Sequence, residues 1–284
     1  MLREEYFSSE YFDPEATLEC GQTFRYRRTG EEFTVFSADR ACTAKRQGAR
    51  VRLAAEEKDI AYFVRYFDLE RDYAPVAEYA SGCEIPAIRQ AARFGRGIRI
   101  LNQDPAEVIF SFLLSQNNNI PRIRATIERL CAALGEECRF GGERYFAFPT
   151  AEALAKRDAA FYVSLGCGYR AAYLEKTARL LASGGMADWK ASDTPTLREK
   201  LLALPGIGPK VADCILLFGF RRTDAFPVDT WIERAYREYF GGSESREQIA
   251  QRLRARFGRY GGYIQQYLFY YEREGRKEHG IHHN

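Results

Sequence analysis

The chain has 284 residues, and its 42 lysines and arginines against 39 aspartates and glutamates give a net charge of +3. This length predicts about two domains, since a domain of roughly 150 residues is common. Hydrophobic residues make up 46% and charged residues 29% of the chain, which excludes a disordered, collagen-like or coiled-coil protein. So small a positive charge permits nucleic-acid binding without indicating it.

The sequence also predicts where the protein works. Its longest apolar stretches, 108–114 and 215–220, are far shorter than the roughly 20 residues that a membrane span needs. The first residues, MLREEYFSSEYFD, lack the basic and apolar regions of a signal peptide, and no targeting extension is visible. We therefore expect an intracellular protein without membrane association, cytoplasmic in a prokaryote and nuclear in a eukaryote. The short N-terminal region favours the prokaryotic type.

The cysteines and histidines argue against a metal centre. The seven cysteines, at 20, 42, 83, 131, 138, 167 and 214, form no C-x-x-C pair, which is typical of free thiols in a reducing compartment. The three histidines, His279, His282 and His283, lie within the last six residues. A Ser-His-Asp triad or a histidine-rich metal site is therefore not expected, and catalysis must use Lys, Asp, Glu, Cys or backbone groups.

Residues 1 to about 70 predict short strands. Turn signals separate four strand-like segments: TLECGQTFRYRR, EEFTVFSAD, RACTAKRQ and ARVRLAA. We therefore predict a small antiparallel N-terminal sheet domain over residues 1–90.

Helical signals dominate the rest of the chain. Asp104-Pro105-Ala106-Glu107 combines an N-cap, a proline at the first helical position and a carboxylate at the third, which predicts a helix over 105–116. Pro121 opens another helix, which Gly135 can end. Further helices are predicted at 151–157, 170–183, 196–203, 210–219, 230–239, 245–256 and 261–272. The predicted fold class is α+β, with a mostly helical body over 91–284.

The most informative segment is 196–236, in which two predicted helices flank the loop Leu204-Pro205-Gly206-Ile207-Gly208-Pro209. Gly206 and Gly208 allow the backbone to approach another group closely, and the second helix begins with free N–H groups. This arrangement is suited to binding a phosphate. A glycine turn between two helices is nevertheless more often structural, and that alternative stays open here.

Lys210 lies in the first turn of the second helix, where the helix macrodipole disfavours a cation. A nucleophilic amine would gain from this position, because positive potential and partial burial lower the cost of deprotonation, about 4 kcal/mol near pH 7.5. Asp229 can cap the helix that begins at Thr230, and it can also stabilise a developing oxocarbenium ion or help to deprotonate Lys210. The alternatives are a solvated lysine and a carboxylate that only caps.

These motifs resemble the helix-hairpin-helix (HhH-GPD) DNA glycosylase superfamily, and within it the 8-oxoguanine DNA glycosylase family. LPGIGPK is followed by PVD, with Asp229 nineteen residues after Lys210. Matching segments also occur in the family's order: CGQTFRYR, QDPAEVIFSFLLSQNNNIPRIRATIERLCAALG, LGCGYRAAYL, KVADC and YGGYIQQYLF. The lysine marks the bifunctional branch, so the resemblance implies an enzyme, a DNA N-glycosylase with AP lyase activity that excises 8-oxoguanine. Lys210 would attack the anomeric carbon and persist as a Schiff base during β-elimination, with support from Asp229.

The resemblance further implies how the damaged base is recognised. The Gly21 carbonyl would accept the ring-nitrogen proton that 8-oxoguanine carries and guanine lacks. Cys214 and Phe269 would sandwich the flipped base, and Gln265 would read its Watson–Crick edge. Without the resemblance, Cys214 and Phe269 would be assigned to apolar helix faces and Gln265 to the surface.

A second set of residues would contact the DNA that the flipped base leaves behind. The resemblance assigns Asn117 to the vacated space, Tyr169 to a wedge in the base stack, and Arg122 and Arg170 to the orphaned cytosine. A loop asparagine, a core tyrosine and solvent-facing arginines are the alternatives. Trp231 departs from the family pattern, since relatives carry a histidine near the DNA backbone at this position.

The expected partner is double-stranded DNA containing 8-oxoguanine, opposite cytosine by preference, bound by a monomer. No cofactor is required, although the hairpin with Gly206 and Gly208 could recruit a cation through backbone carbonyls, as relatives do. Two other functions stay open at this stage. One is a glycosylase for another damaged base, such as an alkylated purine. The other is a non-catalytic helix-hairpin-helix protein that only binds DNA.

Overall fold

The computed structural model describes residues 1–276, so the three histidines lie outside the described residues. The chain begins with a five-stranded antiparallel sheet and continues as a mostly helical body, which confirms the predicted α+β fold class. The strands of the sheet are β1 (Leu2–Ser8), β2 (Tyr26–Thr29), β3 (Glu32–Ser37), β4 (Arg40–Gln47) and β5 (Arg50–Glu56). Their order across the sheet is β1-β5-β4-β3-β2.

Tight turns set the register of this sheet. Strands β2 to β5 follow one another through two-residue loops, which begin at Gly30, Ala38 and Gly48. Each of these three residues has a positive φ, the conformation that two-residue hairpin turns require at their first position. Alternating residues such as Phe33, Val35 and Leu53 are then buried on one face of the sheet.

The predicted strand over 17–28 is largely wrong. Its first residues belong to a short helix, α1 (Pro14–Glu19), and only Tyr26–Thr29 is a strand. Asp13 caps this helix through a 3.0 Å bond from the Ala16 amide, and Pro14 follows it. This is the same cap-and-proline pattern that correctly predicted the helix after Asp104, so the signal for a helix was present in the sequence.

Strands were predicted up to about residue 70, but residues 60–66 form a helix that packs against the N-terminal sheet. A small hairpin, β6 (Glu137–Phe140) and β7 (Glu143–Phe146), interrupts the helices and was not predicted. The helices are α2 (Ile60–Tyr66), α3 (Ala74–Ser81), α4 (Pro86–Phe94), α5 (Pro105–Ser115), α6 (Ile120–Leu134), α7 (Ala151–Ala155), α8 (Ala159–Ser164), α9 (Ala171–Ala182), α10 (Thr194–Leu202), α11 (Pro209–Phe220), α12 (Thr230–Tyr239), α13 (Arg246–Phe257) and α14 (Gly261–Tyr270). Within residues 1–276, none has the length and apolar character required to cross a membrane.

Helix α5 lies at the centre of the helical body. Its residues from Val108 to Leu114 are all buried, and it packs along α11. Gly219 of α11 permits this close approach, since an added Cβ would lie 3.3 Å from Val108. A separate core fills the space behind the N-terminal sheet. The segment between α1 and β2 packs into the helical core rather than the sheet core, because Cys20 and Phe24 are buried there.

Candidate active site

A hairpin joins α10 to α11. Gly206 has a φ of +80°, and a Cβ at this position would lie 2.3 Å from the ring of Tyr173, so both the backbone and the packing require glycine. Gly208 is exposed and is the N-cap of α11, and a Cβ added there would meet no atom within 4 Å. Since its side chain cannot cap, the first amides of α11 are available to an external acceptor.

Lys210 is the second residue of α11 and is half-buried. Its Nζ atom lies 5.6 Å from the centroid of the Phe112 ring on α5. Burial lowers the pKa of the Lys210 amine, but the neighbouring Cys214 and Asp229 raise it, and on balance the pKa lies above its ordinary value. The sequence prediction of a lowered pKa is therefore wrong for the free protein, because it omitted these two neighbours.

Cys214 lies one helical turn after Lys210 and hydrogen-bonds with its amine. Burial raises the pKa of the Cys214 thiol to about 11, although the charge of Lys210 acts in the opposite direction. The thiol is therefore protonated at neutral pH. Asp229 is then the neighbour that carries a full negative charge next to the amine.

Asp229 is the N-cap of α12, and its side chain accepts a 2.9 Å hydrogen bond from the Ile232 amide. The predicted capping role is thus present. The carboxylate also lines the same cavity as Lys210, so capping fixes its orientation without removing it from the site. The Oδ1 atom of Asp229 accepts this bond, so its Oδ2 atom can face the amine.

One cavity collects these groups and the predicted base-binding residues. Its lining is Gly21, Phe112, Lys210, Cys214, Phe218, Pro227, Asp229, Gln265, Gln266 and Phe269. Both predicted catalytic residues and all four predicted substrate-binding residues are therefore brought together. Sequence reasoning missed Phe112, Phe218, Pro227 and Gln266. Only Gln266 carried a usable signal, since two adjacent glutamines are unusual in so apolar a helix.

Gln265 is not at the surface, because only 4% of it is exposed. Its Oε1 atom is buried and accepts no hydrogen bond from residues 1–276. A buried acceptor without a partner costs free energy unless a ligand supplies a donor. Gln265 thus has the property expected of a residue that reads a bound base.

Gly21 also lines this cavity and has a φ of +81°. A Cβ at Gly21 would lie 3.0 Å from the Phe269 ring and 3.1 Å from the guanidinium of Arg273. Only glycine combines this backbone conformation with so close an approach.

The predicted DNA-contacting residues lie around the turn between α5 and α6. Asn117 is exposed and has a φ of +45°, a conformation that asparagine tolerates better than most residues. Arg170 is buried and donates hydrogen bonds to the carbonyls of Gln116 and Asn117, the latter at 2.9 Å. In the free protein Arg170 therefore holds the loop that carries Asn117.

Tyr169 and Arg122 lie at the surface near this turn. Tyr169 is 57% exposed, an unusual value for so large a ring, and its hydroxyl donates to the Gln116 carbonyl at 3.3 Å. It is therefore not the core tyrosine that was the alternative prediction. Arg122 is exposed at the start of α6, where Asn119 caps the helix through the Arg122 amide.

Trp231 is half-buried in the first turn of α12. The exposed Arg234 guanidinium lies 5.5 Å from the centroid of its ring. The positive charge of Arg234 therefore lies next to Trp231, at the position where relatives carry a histidine near the DNA backbone. Among residues 1–276, no group of three or more His, Cys, Asp or Glu side chains could hold a metal ion.

Comparison with known proteins matches nearly the whole chain. The family model for the N-terminal domain of 8-oxoguanine DNA glycosylase matches residues 6–109. The model for the HhH-GPD superfamily base excision DNA repair protein matches residues 110–259.

Individual relatives agree with these matches. A probable N-glycosylase/DNA lyase of Methanothermobacter thermautotrophicus is 33% identical over 229 residues, which cover 73% of this chain and 72% of the relative. An N-glycosylase/DNA lyase of Saccharomyces cerevisiae is 39% identical over 55% of this chain and 46% of its own length. The structure of Clostridium acetobutylicum 8-oxoguanine glycosylase/lyase, bound to double-stranded DNA with cytosine opposite 8-oxoguanine, superposes with a TM-score of 0.90. It is 33% identical and covers 97% of this chain and 98% of that one.

Proposed function

The chain belongs to the 8-oxoguanine DNA glycosylases of the HhH-GPD superfamily, as the sequence predicted, and we propose how its residues carry out their reaction. It is a DNA N-glycosylase with DNA lyase activity that acts on 8-oxoguanine. One observation carries the proposal for the residues. Lys210 and Asp229 line the same cavity as Gly21, Gln265 and Phe269. A base that is held by Gly21, Gln265 and Phe269 would therefore present its glycosidic bond to Lys210 and Asp229.

Lys210 is the proposed nucleophile. Its amine attacks C1′ of the damaged nucleoside while the N9–C1′ bond breaks, and the base leaves with the bonding electrons and takes up a proton. The amine then gives up one proton, and its lone pair forms the C=N bond of a protonated Schiff base while the C1′–O4′ bond of the sugar ring breaks and O4′ takes up that proton. Loss of a C2′ proton expels the 3′ phosphate and cleaves the strand. Asp229 supports the first step by stabilising positive charge on the sugar and on the amine.

The base is proposed to lie between Cys214 and Phe269. Cys214 remains a neutral thiol at physiological pH, because burial raises its pKa to about 11, and so it offers a soft apolar surface rather than an anion. The unpartnered Oε1 of Gln265 accepts a hydrogen bond from the Watson–Crick edge. The Gly21 carbonyl accepts the ring-nitrogen proton that distinguishes 8-oxoguanine from guanine.

A preference for cytosine opposite the lesion is proposed to arise at the turn between α5 and α6. Asn117 fills the space that the flipped base leaves, and the exposed ring of Tyr169 wedges into the stack. Arg122 and Arg170 donate to the acceptors of cytosine. Because Arg170 already bonds to the backbone of this turn, it also fixes where Asn117 stands.

The hairpin is proposed to hold the DNA backbone. Gly208 leaves the N-terminus of α11 open to a phosphate, and carbonyls of the hairpin can take up a cation at the same place. No cofactor is needed for the chemistry, since the amine and carboxylate supply every group that it uses. We infer that the enzyme acts as a monomer, intracellularly and in the compartment that holds the genome.

A panel of duplexes tests this assignment. Duplexes with 8-oxoguanine opposite each of the four bases, with 3-methyladenine, or undamaged, are incubated with the protein, and free base and strand cleavage are measured separately. We expect release of 8-oxoguanine, fastest opposite cytosine, together with strand cleavage. Equal rates opposite all four bases would contradict the roles of Arg122 and Arg170. Release of 3-methyladenine alone would overturn the base-recognition proposal, and binding without release would overturn the roles of Lys210 and Asp229.

A further inference from the structure

Two adjacent glutamines of α14 have different surroundings. The Oε1 atom of Gln265 has no partner among the described residues, whereas the amide of Gln266 is bonded within the protein. The Nε2 atom of Gln266 lies 3.0 Å from the Cys20 sulfur and 3.4 Å from the Cys20 carbonyl oxygen. This side chain is 1% exposed and lines the base cavity. It connects residues that are 246 positions apart in the chain.

The Cys20 sulfur accepts this bond, while its S–H group donates to another residue. Burial raises its pKa to about 11, so it keeps its proton, which it donates to the Thr17 carbonyl at 3.2 Å. The amide of Gln22 also donates to the Cys20 sulfur at 3.2 Å and to the Arg99 carbonyl at 2.7 Å. The residues on both sides of Gly21 are therefore fixed by buried side-chain amides.

A second side chain, three residues after the end of α14, reaches the same segment. Arg273 donates a hydrogen bond to the Glu19 carbonyl, and its guanidinium lies 5.1 Å from the centroid of the Phe269 ring. Glu19, Cys20 and Gln22 are thus all held, and Gly21 between them lies against Phe269. The position of the Gly21 carbonyl relative to α14 is set by these bonds.

We propose that Gln266 is a positioning residue that determines how well the enzyme distinguishes 8-oxoguanine from guanine. The inference rests on the proposed function, in which the Gly21 carbonyl detects one proton. Hydrogen bonds weaken steeply when their geometry departs from the optimum, so this detection requires a fixed distance between Gly21 and the wall that carries Gln265. On α14, Gln266 is the residue whose bonds to Cys20 set the distance between Gly21 and Gln265. It contacts no reacting atom and acts only through Cys20.

The test uses Gln266→Met, which keeps the volume and removes the N–H donor. Gln251→Met is the matched control, since Gln251 is exposed on α13. Selectivity is measured in the Lys210→Gln background, which keeps the base attached, as the ratio of Kd values for duplexes with guanine and with 8-oxoguanine at one position. Lyase activity on preformed abasic DNA is measured with Lys210 intact, because this reaction needs no base recognition.

We expect Gln266→Met to reduce the selectivity ratio about tenfold, while the lyase rate stays within about twofold of wild type. Gln251→Met should leave both unchanged. An unchanged selectivity ratio overturns the inference, and so does an equal loss of selectivity and lyase activity, which would indicate a purely structural role. If Gln266→Met does not fold, Cys20→Ala removes the sulfur that accepts from Gln266, together with its bonds to Thr17 and Gln22, and should reduce selectivity at least about threefold. Failure of the wild-type enzyme to release 8-oxoguanine would instead overturn the proposed function.

Discussion

At the scale of single residues, the proposed chemistry depends on when Lys210 loses its proton. In the free protein its pKa is raised, because Cys214 and Asp229 outweigh the effect of burial. The resting amine is therefore protonated, and the proposed nucleophile forms only when a proton leaves. The reaction is then expected to be sensitive to pH.

The first prediction concerns this sensitivity. With a raised lysine pKa, the fraction of free amine grows about tenfold per pH unit below that pKa. We expect the single-turnover lyase rate on abasic DNA to rise from about pH 6.5 to about pH 9.5 without a plateau. A plateau that begins near pH 7 or 8 would show a strongly lowered pKa and contradict the account. Thermal unfolding at each pH serves as the control.

The sequence alone made Lys210 and Asp229 candidates for catalysis, because both stand at helix N-termini in short motifs with turn residues around them. It could not show the pKa of Lys210, which depends on how α11 and α12 face each other. It also missed Gln266, because the adjacent pair of glutamines is visible in the sequence but the bond from Gln266 to Cys20, 246 residues away, is not. Local signals thus reveal candidate residues, and tertiary contacts decide what they do.

At the scale of elements, capping residues made the helices predictable. Asp104 with Pro105 marked α5, and Asp229 marked α12, within a residue or two of the observed ends. Strand-like segments between turn signals were less reliable. They predicted a strand over residues that form α1, because a short helix packed on one side also shows apolar residues at close spacing.

The second prediction compares the two hairpin glycines. Gly206→Ala should reduce the free energy of unfolding by about 2 kcal/mol or more, because its φ is +80° and Tyr173 occupies the space of a Cβ. Gly208→Ala should cost less than about 1 kcal/mol, since that position is open and a cap glycine is only moderately better than alanine. Urea denaturation measures both. Equal losses would show that the hairpin is packed differently.

At the scale of the whole molecule, the cavity that contains Lys210, Gly21 and Gln265 forms only where distant parts of the chain meet. Gly21 comes from the segment before the second strand, Lys210 from the hairpin and Gln265 from α14. The segment that carries Gly21 packs into the helical core, so the sheet domain contributes a wall of the cavity rather than a separate module. The chain order of such segments is visible in the sequence, but their distances are not.

The third prediction separates the two arginines proposed for the orphaned cytosine. Arg122→Ala should reduce the preference for cytosine by about tenfold without changing stability, because its side chain is exposed. Arg170→Ala should also destabilise the protein by about 1–3 kcal/mol, since Arg170 is itself buried and its hydrogen bonds hold the carbonyls of Gln116 and Asn117. Excision opposite each base and thermal unfolding test both. Full cytosine preference in Arg122→Ala would contradict the assignment.

The central claim is that Lys210 becomes covalently attached to DNA during the reaction. The most direct measurement adds borohydride to the enzyme with a duplex carrying 8-oxoguanine opposite cytosine, digests the trapped adduct, and identifies the modified residue by mass spectrometry. We expect the reduced sugar on Lys210, and no adduct with Lys210→Gln. Attachment to another residue, or an undiminished adduct with Lys210→Gln, would contradict the claim.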